Sequence, residues 1–146
     1  MTDLTFNLDS YISRISITDK PSSSLQPNKE TLALLQLSHL LTIPFENLDV
    51  VQKKSISIDL SDIFEKLVIN KRGGYCFEMN TLLSAALVEI GFKVKPVLAR
   101  VRWNRPIEMK TPYTHIILLV TANDGNRCWL WRVAMHDTIE YFIRRA

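Results

Sequence analysis

The chain has 146 residues, 47% of them hydrophobic, which suits one ordinary domain or a small bipartite domain that folds without disulfide staples. Its formal charge of +3 comes from 18 basic residues scattered along the chain, so no nucleic-acid partner is expected, and two cysteines do not make a secreted disulfide framework. The first residues lack the basic start and apolar core of a signal peptide, and no apolar run approaches the roughly 18 residues of a membrane span, so a reduced, cytoplasmic setting with no membrane partner is expected.

A short first helix is predicted over "LDSYISRIS", followed by a loop rich in proline, serine and asparagine. The spacing of Leu32, Leu35, Leu37 and Leu40 predicts a second helix, capped by Asn28 and stopped before Pro44. "IPFENLDVV" reads as an ordered turn leading to a strand. Asp59 is the expected cap of a third helix, "LSDIFEKLVIN", with Ile63, Phe64 and Leu67 on its buried side. "KRGG" then ends that helix, because glycine tolerates the left-handed backbone that closes one.

From Cys76 to Gly91 the pattern is apolar nearly all round, the texture of a helix at the centre of a domain. Beyond Gly91 come β-branched and aromatic runs, "KVKPVLARVRW", "YTHIILLVTA" and "NRCWLWRVAM", with "NDGN" as a hairpin turn between the last two. Helices first and antiparallel strands second make an α+β chain. The expected division is a helical region over residues 1–91 and a strand region over 92–146.

Chemistry concentrates on "KRGGYCFEMN". A thiol attacks as its thiolate, and the unpaired N–H groups at a helix start favour that charge, which is where Cys76 falls. The same N–H groups are candidate oxyanion donors. A partner base belongs on another element. His39 lies within the second helix and His136 in the tail, whereas His115 opens a strand and is the best geometric choice. The competing reading makes Cys76 a small buried core residue. No pair of Cys or His residues has zinc-site spacing, so no metal is expected, and "RGGYC" lacks the Lys-Ser/Thr of a phosphate loop.

Four stretches, "IPFENLDV", "RGGYCFEMN", "GFKV…ARV" and "THIILLV", together resemble the N-terminal half of an arylamine N-acetyltransferase, in order and in spacing. The resemblance implies a papain- and transglutaminase-like cysteine core, with a helical bundle followed by the start of an antiparallel β-barrel. It also implies acetyl-CoA as co-substrate and acetyl transfer through a Cys76 thioester to an arylamine, hydrazine or N-hydroxyarylamine, in ping-pong fashion. By motif position Cys76 is the nucleophile and His115 the base. Arg72 and Glu46 would order the loop before the cysteine, and Phe45 and Tyr75 would line the pocket. A cysteine hydrolase, a transglutaminase-like acyl transferase or a non-catalytic remnant are the alternatives.

The family pattern also has a strand aspartate beyond the histidine, which Cys128–Val133 does not supply; the nearest are Asp124 and Asp137. The resemblance is drawn to Arg127, and the segment from Cys128 to Ala146 has the texture of a shifted reading frame. The expectation is a truncated family member.

Overall fold

The computed structural model describes residues 6–100, 106, 108–123 and 127–130. The helices are α1 (Leu8–Arg14), α2 (Lys29–Thr42), α3 (Leu48–Val51), α4 (Leu60–Phe64, continuing as a π-helix over Glu65–Ile69) and α5 (Cys76–Ile90), with a 3-10 turn at Ser22–Ser24. Strands β1 (Lys93–Arg100), β2 (Tyr113–Thr121) and β3 (Arg127–Leu130) form an antiparallel sheet in the order β1-β2-β3. Among the described residues the sheet is open, and no helix is long and apolar enough to cross a membrane.

The caps explain several of these boundaries. Asn28 accepts the Thr31 N–H at 2.8 Å and so starts α2 as expected, and Asn7 does the same for α1 through the Ser10 N–H. Gly91, at φ +108°, closes α5 in the left-handed region. Asp59 precedes α4 without a side-chain cap, contrary to expectation; its own N–H is taken up by Ser57 Oγ. The left-handed residue that leads out of the third helix is Lys71, at φ +52°, and neither Gly73 nor Gly74 has positive φ. The segment after Phe45 also differs from the expected strand. It coils into α3, whose turn is closed by Val51 N–H to Asn47 C=O at 3.0 Å. The "NDGN" turn lies largely outside the described residues.

One apolar core joins the helices to the sheet. Tyr11 and Ile15 of α1, Leu32 and Leu35 of α2, Ile63, Phe64 and Leu67 of the third helix and Met79, Leu82, Leu83 and Leu87 of α5 meet Leu118 and Val120 of β2. α5 is therefore central, as its all-round apolar pattern implies. Leu37, one of the leucines whose spacing predicts α2, is 57% exposed. At the edge of the sheet, β1 carries Lys93, Lys95 and Pro96, residues that discourage pairing with another strand.

His39 is buried in this core, where its Nδ1 shares a 2.9 Å hydrogen bond with Tyr11 Oη. Burial, with the Arg14 charge adding to it, pushes the imidazole down to about 3, so it stays neutral and structural. The unfolded chain takes up a proton near pH 6.5 that the folded chain refuses, so stability is full above that pH and falls as pH drops toward 3. Wild type should lose about 2 kcal/mol between pH 7 and 5 from this group. His115, also lowered by burial, adds in the same direction. The check is the difference between wild type and His39→Gln in denaturant melts at the two pH values; equal losses in both would refute the assignment.

Candidate active site

Cys76 opens α5 and is 6% exposed. Its thiol donates to the Thr114 carbonyl of β2 at 3.8 Å. One helical turn on, the Asn80 amide donates at 3.0 Å to the Cys76 carbonyl and at 3.0 Å to the Ile116 carbonyl. These contacts tie the start of α5 to the backbone edge of β2 immediately before and after His115, which is 5% exposed. Cys76 thus lies against the stretch of β2 that carries His115, while His39 is bonded to Tyr11 in the core. His136, Asp124 and Asp137 lie outside the described residues.

Burial pushes the Cys76 thiol up, and the Glu78 charge adds to this; the backbone N–H groups of Ile116, Phe77 and Cys76 pull the other way without winning. Burial lowers His115, which is therefore a neutral imidazole at neutral pH. At neutral pH both shifts favour the uncharged forms, thiol and imidazole. The lowered thiol expected from the helix start alone is overridden by the cost of burying charge.

The loop before Cys76 is held by backbone and by ions. Gly74 N–H donates to the Pro44 carbonyl at 3.2 Å and Glu46 N–H to the Gly74 carbonyl at 3.0 Å, forming a parallel bridge between Phe45 and Gly74. The close approach requires glycine, since a Cβ on Gly73 would stand 2.2 Å from the Pro44 carbonyl oxygen. Arg72 bridges Glu46 and Asp49, each at 2.9 Å. Lys66 shares the same Asp49 oxygen, Oδ2, at 2.8 Å and reaches Glu78 at 2.7 Å. Glu78 then accepts the Tyr75 N–H at 3.0 Å, capping α5. Hydrogen bonds from Lys66 and then Arg72 hold Asp49 well below the usual carboxylate range.

Of the expected loop and pocket residues, Arg72 and Glu46 do meet. Tyr75 stacks at a tilt on Phe77, 5.6 Å between ring centres, and Phe45 is 45% exposed, so it is no core residue. Sequence reasoning missed Asp49, Lys66, Glu78 and Asn80. Glu78, three residues after the N-cap, has capping-box spacing and was recoverable; the others depend on tertiary contact. A groove of about 470 Å³ along α5, lined by Phe6, Ala85, Val88, Pro96 and Leu118, meets this site at Asn80 and Ile116. Among the described residues no cluster of His, Cys, Asp and Glu could hold a metal ion.

The family model described as N-acetyltransferase matches residues 28–138. An arylamine N-acetyltransferase / N-hydroxyarylamine O-acetyltransferase of Salmonella typhimurium is 46% identical over 98 residues, 67% of this chain and 34% of that protein. A solved structure of the arylamine N-acetyltransferase from Salmonella typhimurium superposes with a TM-score of 0.79 at 38% identity, covering 93% of this chain and 47% of that one. The Mycobacterium marinum arylamine N-acetyltransferase in complex with CoA superposes with a TM-score of 0.71 at 31% identity, covering 82% and 43%. The chain belongs to the arylamine N-acetyltransferase family and spans less than half the length of these relatives. The family match runs to residue 138, so the boundary drawn at Arg127 from sequence is too early and the segment after it is not foreign to the family throughout.

Proposed function

We propose that the chain carries the nucleophile half of an acetyl transferase in which acetyl-CoA donates to Cys76 and an arylamine, hydrazine or N-hydroxyarylamine accepts. The observation that carries the reading is the coupling of the α5 start to β2 on both sides of His115, through Cys76 Sγ and the Asn80 amide. His115 takes the thiol proton as sulfur attacks the acetyl carbon. A C–S bond to Cys76 forms, the bond to the coenzyme sulfur breaks, and the imidazolium returns its proton to the departing thiolate. In the second half the amine nitrogen attacks the acetyl carbon and His115 accepts its proton; the C–N bond forms, the C–S bond to Cys76 breaks, and the imidazolium returns the proton to the departing Cys76 thiolate. Two half-reactions at one site make ping-pong kinetics.

In this reading Arg72 and Glu46 order the loop, and Phe45 and Tyr75 are aromatic walls for a flat acceptor. The helical region to residue 91 and the strand region beyond it are the two arms of a papain- and transglutaminase-like core, the strands being the start of a β-barrel. Metabolism of foreign amines in the cytoplasm is the setting that fits such substrates.

Mass spectrometry after incubation with acetyl-CoA tests the proposal. A single acetyl group mapping to Cys76, absent in Cys76→Ala and discharged by an arylamine, is the expected result. Folded protein that takes up no acetyl group would defeat it.

A further inference from the structure

Two anions compete for one helix start. Glu78 is 3% exposed, sits on the first turn of α5 and accepts the N–H of Tyr75, while the Cys76 thiolate would draw on the same N-terminal field. A carboxylate buried this deeply is tolerated only when paired. Its partner is Lys66 Nζ, 2.7 Å from Oε1, itself held from behind by Asp49 at 2.8 Å.

We propose that Lys66 is a positioning residue for Cys76 that acts through Glu78: it holds the carboxylate on the Tyr75 N–H and cancels a negative charge on the same first turn of α5 as the thiol. The proposal rests on the reading of Cys76 as nucleophile. Among the described residues the titratable and charged groups around the thiol are Glu78 on its own helix, Tyr75 before it, His115 from β2 and Lys66 from the π-helical turn, with Asp49, Arg72 and Glu46 behind Lys66. Without Lys66, burial and an uncompensated Glu78 act on the thiol in the same direction, against the thiolate.

The pH profile of iodoacetamide alkylation, mapped to the Cys76 peptide so that Cys128 is counted apart, reads this directly in the full chain. Lys66→Gln should slow alkylation at neutral pH roughly three- to tenfold and move the profile to higher pH. Lys66→Arg should keep the wild-type profile. Adding Glu78→Gln to Lys66→Gln should return it, because the glutamine oxygen still caps Tyr75 but carries no charge. Superimposable profiles for folded wild type and Lys66→Gln would overturn the proposal. Should Lys66→Gln not fold, Glu78→Gln alone decides: a profile moved to lower pH supports it and an unmoved one overturns it. Alkylation needs no acetyl donor, so a wild type that alkylates with these shifts yet never acetylates would defeat the nucleophile reading and leave the electrostatic one standing.

Discussion

His115→Gln should reduce the rate of Cys76 acetylation by acetyl-CoA by about three orders of magnitude at pH 7, within the range general-base catalysis contributes. The resting state makes the effect large. Burial keeps the thiol protonated and the imidazole neutral, so attack requires proton removal as the C–S bond forms. For a neutral imidazole the activity limb lies on the acid side: the rate rises with pH as His115 loses its proton, with its midpoint below 6.5 because burial lowers that group. Raising the pH toward the thiol's own range should partly rescue His115→Gln and leave wild type little changed. Stopped acetylation followed by mass spectrometry at pH 7 and 9 measures both. A variant as fast as wild type at pH 7 would remove His115 from the mechanism.

Gly73→Ala should lower stability by about 2–3 kcal/mol, as overpacking of a tight interior does. In a chain of this size that is roughly 6–12 °C in Tm. The added Cβ would meet the Pro44 carbonyl oxygen at 2.2 Å and Glu46 Cγ at 2.8 Å, and a backbone carbonyl cannot rotate away as a side chain can. Relief requires the Pro44–Glu46 segment to separate from the loop, breaking the Gly74–Pro44 and Glu46–Gly74 hydrogen bonds and loosening Arg72 from Glu46. Calorimetric melting of both proteins is the check. An unchanged Tm would mean the loop moves freely and the bridge contributes little.

Much of the frame was legible because it follows from local rules. The Asn28 cap, the all-round apolar run from Cys76 to Gly91 and the β-branched stretch around Ile117 each declare themselves within a few residues, and each is found in place. The places of Cys76 at the start of α5 and of His115 near the start of β2 were legible for the same reason. The failures are tertiary. Lys66 meets Asp49 and Glu78 across two element boundaries, so nothing near Lys66 in the chain announces the contact. Asp59 has the residue type of a cap but not the bond. The glycines of "RGG" suggest a need for backbone freedom, whereas the folded chain uses Gly73 for a contact with Pro44, which no local pattern encodes.

The π-helical turn over Glu65–Ile69 sets a constraint of phase. Its wide hydrogen bond, Asn70 N–H to Glu65 C=O at 2.8 Å, spans one residue more than an α-turn. That spacing lets Leu67 and Val68 face the core while Lys66 reaches Asp49 and Glu78. Deleting a single residue there would rewind the turn to the α period and rotate α4 by about 100° relative to the chain that leads on to Arg72. Core and ion chain could then no longer be satisfied together, so this short segment tolerates exchange of residue type far better than any change in length.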